Sequence, residues 1–256
     1  MTSTDAGHRV AGSTGSTVYR AVAAELAAIR GRAAGRAPRV LDVGGGSGAW
    51  AVPLARAGCA VSVVDPSPNA LAALRRRARD AGVDELVTAV PGEVERLAEV
   101  APLGGADLVL GHGLLEVVDD VPAAVRALAR AATPGGAVSV LVAGRFAAVL
   151  ARTLAGRLTE ARALLTDPDG RFGPDDALRR RLDAAGVRRA LAAAPELRLE
   201  LLQGDGVVEC WAPGTSRDRE AGEPSGALGE LEELAAAEPA LIDVAARLHA
   251  MARRVG

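Results

Sequence analysis

Apolar positions along this chain of 256 residues follow two periods in turn. Over 18–30 they recur every three or four residues, the spacing of one helix face, with Ser16 or Thr17 placed to cap the start and the Gly, Arg and Pro of 31–38 to end it. Residues 39–43 and 60–64 are short β-branched runs without polar alternation, as parallel strands covered on both faces require. A helix is predicted between them at 49–57 and another after them at 68–81, stopped by Gly82. The pattern repeats as a strand at 86–90, a helix at 93–100, a strand at 107–110 and a helix at 121–131. The turn Thr133-Pro-Gly-Gly136 then leads into a fifth strand at 137–142. Elements in this order specify a doubly wound α/β sheet with right-handed crossovers.

Downstream, 145–165 reads as helix by propensity, 167–174 as loop, and 175–194 as helix with a break at Gly186. Segments 197–202 and 207–211, separated by Gln203-Gly-Asp-Gly206, are predicted as strand around an irregular turn. The polar, Gly- and Ser-rich stretch 213–226 is expected to be a flexible loop.

Composition narrows the function classes. Hydrophobic residues make up 49% of the chain, enough for the core of one α/β domain. The 30 basic residues, all arginine, nearly balance 32 acidic ones, and a net charge of -2 gives no global attraction for nucleic acid. Cys59 and Cys210 form no disulfide framework, and neither a signal-peptide pattern nor an apolar run of membrane-spanning length is present, so a cytoplasmic protein without a membrane partner is expected. Three scattered histidines and two separate cysteines lack metal-ligand spacing.

The strongest local signal is Val40-Leu-Asp-Val-Gly-Gly-Gly-Ser-Gly-Ala49, a strand that runs through glycines into a helix. Such a turn lets backbone approach a ligand where a Cβ would collide, and presents amide N–H groups. Gly44-x-Gly46-x-x-Ala49 also satisfies the dinucleotide fingerprint, so the loop alone leaves a dinucleotide site and a structural turn open. Asp42, two residues before the glycines, would repel a pyrophosphate and suits a cationic ligand. Asp65 ends the second strand, where its oxygens can accept from both hydroxyls of a ribose or cap the helix that follows Pro66.

The order Leu41-Asp-Val-Gly-Gly-Gly-Ser-Gly48, Val63-Val-Asp65, Pro91-Gly-Glu93 and Thr133-Pro-Gly-Gly136 resembles the class I methyltransferases, which use S-adenosyl-L-methionine and release S-adenosyl-L-homocysteine. The resemblance implies a seven-stranded Rossmann-like sheet whose last strand is antiparallel, making 247–252 a strand against its helical propensity. It also implies that Gly44, Gly45 and Gly46 line the methionine end of the cofactor, with Asp42 near its positive groups. Asp65 would hold the ribose, with Pro66 beside it, and Gly92 and Glu93 would flank the adenine.

Within that class the chain is similar, from about Ala11 to Arg254, to the bacterial tRNA carboxymethoxyuridine methyltransferases. The likeness rests on Gly111-His-Gly-Leu-Leu-Glu-Val117, on 149–156, and on the ending from Glu238-Pro239 through Arg247-Leu-His-Ala-Met-Ala-Arg253. It implies that Arg20 pairs with the cofactor carboxylate, that His112 is a cofactor or active-site residue, and that the acceptor is a carboxylate or hydroxyl on a modified tRNA nucleoside. In this frame 1–37 is a helical cap, 38–144 the cofactor-binding core, 145–196 a helical acceptor-side segment, and 197–256 the C-terminal strands and helix.

The chain departs from that pattern on the acceptor side. Val117 replaces a family Trp, and Ala143-Gly144 replaces a Tyr-Asn element, which removes groups suited to stacking a base. A small-molecule O- or N-methyltransferase therefore stands beside the tRNA reading, with a non-catalytic cofactor-binding protein as a third. Arg75-Arg-Arg77, Arg79 and Arg179-Arg-Arg181 could line RNA or be solvated helix faces. A carboxylate acceptor needs no general base; for a hydroxyl, His112 is the candidate, though a capped loop side chain is the other reading of it. Glu116 either reaches the site or supports its loop, Trp50 and Trp211 are expected to pack, and His8 and His249 to be ordinary.

Overall fold

The computed structural model describes residues 16–32, 35–212 and 226–256, so His8 and nearly all of the 213–226 stretch lie outside the described residues. Helix α1 runs Thr17–Arg32, and Ser16 caps it by accepting from the Tyr19 amide at 3.1 Å. The Thr17 hydroxyl is thereby free to donate elsewhere, to the Gly204 carbonyl and to Asp205 Oδ1 at 3.0 Å.

The alternating elements follow as predicted: β1 Arg39–Val43, α2 Ala51–Arg56, β2 Ala60–Asp65, α3 Pro68–Asp80, β3 Val87–Pro91, α4 Leu97–Val100, β4 Ala106–His112, α5 Val121–Ala131 and β5 Ala132–Ala143. Ser67 and Asp120 cap α3 and α5, each with a proline in the first turn where no amide partner is needed. Ala132 pairs with Ala106 and Ala137 with Leu108, so 133–136 bulges out of β5, with Gly135 at φ 76°.

Three expectations change beyond β5. The helix predicted at 145–165 is two, α6 Arg145–Leu154 and α7 Leu158–Thr166, because Gly156 turns the chain at φ 72°. Of 175–194 only α8 Ala184–Leu191 is helical, and Gly186 lies inside it rather than breaking it. Asp183 caps α8 by accepting from the Gly186 amide at 2.6 Å, while Leu182 bridges to Gly144 beside β5 and holds the preceding segment extended. Strand β6 Leu197–Asp205 runs straight through Gln203, and 207–211 is not strand, since the chain turns at Gly206 and the Val207, Val208 and Glu209 amides all donate to Glu232. Helices α9 Gly226–Ala237 and α10 Pro239–Ile242 then lead into β7 Arg247–Arg254.

One sheet contains all seven strands in the order β3-β2-β1-β4-β5-β7-β6. The first five are parallel, and β7 runs antiparallel between β5 and β6, as the family resemblance implied. Strand order reverses between β1 and β4, the switch point at whose carboxyl ends open α/β sheets bind ligands. Period-two alternation splits the core into two layers. Val40, Val63, Leu108, Leu110, Leu141 and Met251 pack under α1 to α3, whereas Leu41, Val109, Val138, Val140, Leu248 and Ala250 pack with α5 and α8. Asp42, His112, Ser139 and His249 share parity with the first set, so their side chains fall on the α1–α3 face.

Candidate active site

The glycine loop closes over a buried carboxylate. Asp42 is 1% exposed, and its Oδ2 has no hydrogen-bond partner among the described residues. Burial, and secondarily the charge of Asp65, raises its pKa from 3.8 to about 7. A Cβ at Gly45 would overlap this group, ending 2.5 Å from Asp42 Cγ, so glycine is required there by the carboxylate beneath it. Gly44 and Gly46 take φ of 74° and 56°, which L side chains rarely adopt.

Asp65 holds the loop in shape. Its Oδ2 accepts from the Gly46 amide at 2.9 Å and its Oδ1 from the Ser67 amide at 2.8 Å, while the Gly44 amide donates to the Val64 carbonyl at 2.8 Å. Each Asp65 oxygen keeps a second lone pair for a ligand hydroxyl. Pro66, Gly92 and Glu93 meet next to it, with Pro91, Arg96, Glu99 and Val100, around a cavity of about 410 Å³. An added Cβ at Gly92 would come to 3.0 Å from Val100, so the missing side chain keeps that floor open.

A line of polar side chains starts at the end of β4 and was missed in the sequence. His112 Nε2 lies 2.8 Å from Ser139 Oγ, which lies 2.8 Å from His249 Nε2; His249 Nδ1 is 3.1 Å from Gln203 Nε2, which donates to the Thr17 carbonyl at 3.1 Å. His249, expected to be ordinary, is fully buried within this line. Burial, opposed by Asp205 and helped by Arg247, lowers its pKa to about 4. Burial, then His249 and Arg247, hold His112 well below its ordinary value. Trp50 packs as predicted, crossing the His112 ring edge-on at 4.6 Å and stacking on Tyr19 at 6.3 Å. The available signal was a single polar residue inside the apolar run of each strand, Ser139 within 137–143 of β5 and His249 within 248–252 of β7.

The remaining candidates are spent on structure. Arg20 pairs with Glu233 at 2.8 Å and would have to share that guanidinium to reach a cofactor. Glu116 Oε1 accepts from the Ala143 amide at 2.9 Å, which ties the loop after β4 to the end of β5; burial raises its pKa to about 7. The arginines 179–181 are neither a helix face nor a free stripe. Arg179 binds Asp119, Arg180 donates to the Leu115, Val118 and Asp119 carbonyls, and Arg181 holds Asp176 at 2.6 Å. A second cavity, about 300 Å³, lies at the amino ends of β1 and β4. Its Arg36 and Arg39 are bound to Asp107, which burial pushes up but those hydrogen bonds bring down to about 2. No three His, Cys, Asp or Glu side chains among the described residues are grouped to hold a metal, and no described helix is long and apolar enough to cross a membrane.

A methyltransferase domain family model matches residues 15–188. No curated protein sequence matches the chain. Solved structures share its fold at low identity. An S-adenosylmethionine-dependent methyltransferase from Mesorhizobium loti is 19% identical with a TM-score of 0.57, covering 92% of this chain and 97% of its own. Geranyl diphosphate C-methyltransferase from Streptomyces coelicolor A3(2), solved with Mg2+, geranyl diphosphate and S-adenosyl-L-homocysteine, is 17% identical with a TM-score of 0.56, covering 93% and 80%. The [4+2]-cyclase SpnF is 20% identical with a TM-score of 0.57, covering 93% and 83%.

Proposed function

The chain belongs to the methyltransferase domain family, and from that premise we propose that it transfers the methyl group of S-adenosylmethionine to a nucleophilic oxygen or nitrogen of a small molecule. The observation that carries the cofactor is Asp42: a buried carboxylate with an oxygen unpartnered among the described residues, under a glycine loop at the sheet's switch point, suits a ligand that brings positive charge. When bound, that cofactor supplies a methyl group already activated on a positive sulfur. Asp42 would face its positive groups, the backbone of Gly44 to Gly46 would run along its methionine end, and Asp65 would accept from the ribose. Pro66, Gly92 and Glu93 would border the adenine, and Arg20 would share its guanidinium between Glu233 and the cofactor carboxylate. What the protein adds to the reaction is alignment and exclusion of water, which can lower a barrier by roughly 7–11 kcal/mol.

Two observations favour a small acceptor over a tRNA nucleoside. Arg180 and Arg181 are consumed by internal carbonyls and a buried carboxylate while Arg179 pairs with Asp119 at the surface, and the end of β5 offers Ala143 and Gly144 rather than an aromatic platform. Incubation with a methyl-labelled donor and either total tRNA or a metabolite extract tests this. Label entering the metabolite fraction is expected; label in tRNA would reverse the choice of acceptor. Absence of binding to both the donor and S-adenosylhomocysteine in calorimetry, with the fold intact, would end the methyl-transfer reading.

A further inference from the structure

Four neighbouring strands each contribute one polar side chain to a single lateral wire: Gln203 from β6, His249 from β7, Ser139 from β5 and His112 from β4. The wire has a direction, and Gln203 sets it. The Thr17 carbonyl can only accept, so the nitrogen of the Gln203 amide must face it. That same nitrogen has no lone pair and lies 3.1 Å from His249 Nδ1, so His249 Nδ1 accepts and its ring proton sits on Nε2. Ser139 Oγ accepts that proton's hydrogen bond and turns its own hydrogen to His112 Nε2. His112 Nε2 is therefore an acceptor, and the proton of the neutral ring sits on Nδ1. The opposite direction would set hydrogen against hydrogen at Gln203. His112 Nδ1 is buried and has no hydrogen-bond partner among the described residues.

We propose that Gln203 is a positioning residue that fixes the tautomer of His112 through His249 and Ser139, so that His112 offers an Nδ1–H donor to an oxygen of the bound ligand and does not serve as a general base. Both ring nitrogens are accounted for: the Nε2 lone pair accepts from Ser139 and Nδ1 carries hydrogen. The depressed basicity of both histidines keeps each ring neutral, which the wire requires, because a second proton on His249 would fall on the nitrogen that faces the Gln203 amide. The ligand group this site takes is thus a carbonyl, carboxylate or hydroxyl oxygen. The inference rests on the methyl-transfer reading only for where that ligand comes from.

Nitrogen-15 spectra of the full chain labelled in histidine separate protonated from bare ring nitrogens and need neither acceptor nor turnover, so failure of the wire and failure of the methyl-transfer reading are distinguishable. Substitutions His8→Gln and His112→Asn assign the signals. The expected result is opposite tautomers, protonated Nδ1 in His112 and protonated Nε2 in His249. Ser139→Ala should release His112 while His249 keeps its tautomer, and Gln203→Met should release both, each with at least a tenfold change in tautomer ratio. A purely structural role for these side chains would not move tautomers in that order. His112 protonated on Nε2 in the unsubstituted protein overturns the proposal, as does Gln203→Met leaving both rings unchanged; if a variant fails to fold, the unsubstituted spectrum decides alone. Added S-adenosylhomocysteine and then the metabolite extract tell the two oxygen sources apart: a His112 Nδ1 resonance shifted by the first places the oxygen on the cofactor, one shifted only by the second places it on the acceptor, and one unmoved by both overturns the donor role.

Discussion

Replacing Asp42 with asparagine keeps the shape of the side chain under the glycine loop and removes its ionisation. In the free protein the Asp42 pKa is raised from 3.8 to about 7, so folding favours the protonated form. The stability this brings is complete below the unfolded value near 4, declines as pH rises, and is gone once pH passes the folded value near 7. About two pH units of that decline lie between pH 5 and 7, and at about 1.4 kcal/mol per unit the unsubstituted protein should lose about 3 kcal/mol relative to Asp42→Asn between pH 5 and pH 8. For a chain of this size, roughly 2–4 °C per kcal/mol, the gap in melting temperature should widen by about 6–12 °C in favour of the variant. Binding should move the other way. A cation beside Asp42 favours the carboxylate, so S-adenosylmethionine should displace close to one proton at about pH 6 and very few at about pH 8, read as buffer-dependent heat in titration calorimetry. Asp42→Asn should abolish that release and weaken binding at least tenfold. A melting gap that is the same at pH 5 and pH 8, together with proton-independent binding, would refute the reasoning.

Gly45→Ala forces the Asp42 carboxyl from its place and should weaken S-adenosylhomocysteine by at least a hundredfold in calorimetry, with unchanged affinity counting against the packed loop. Asp65→Ala removes acceptors from the Gly46 and Ser67 amides as well as from the ribose, so cofactor affinity should fall by about 3 kcal/mol or more, whereas Asp65→Asn, which keeps one acceptor oxygen, should lose less. Arg180→Leu leaves three carbonyls after β4 without their donor and should lower stability by about 1–3 kcal/mol in urea unfolding without changing any affinity for RNA. At Gly144 a Cβ would overlap the Ala245 carbonyl oxygen, so Gly144→Ala should separate β5 from the turn before β7 and cost at least about 2 kcal/mol, measured the same way.

The parallel half of the sheet was legible because its signals are local. Runs such as 39–43 and 60–64 carry their own period, and the glycines after β1 require a turn whatever surrounds them. The same holds for Asp42 and Asp65, whose positions at strand ends follow from the strands themselves. Reading failed where a long-range partner overrode local propensity. The segment before α8 is helical by composition, but Leu182 pairs beside β5 and Arg180 and Arg181 are drawn to carbonyls and a carboxylate, so it stays extended.

Sequence alone determined the alternation of elements, the glycine loop and the acidic groups around it, since each depends on residues a few positions apart. Tertiary structure alone decided that Asp42 is buried with an oxygen unpaired among the described residues, that Arg180 and Arg181 are spent internally, and that His112, Ser139, His249 and Gln203 form one line. Those residues lie as much as 137 positions apart, from His112 to His249. Only the pairing of β4 with β5, and of β5 and β6 with β7, brings them to hydrogen-bond distance, because strand neighbours are chosen by the burial of whole faces and not by nearness along the chain.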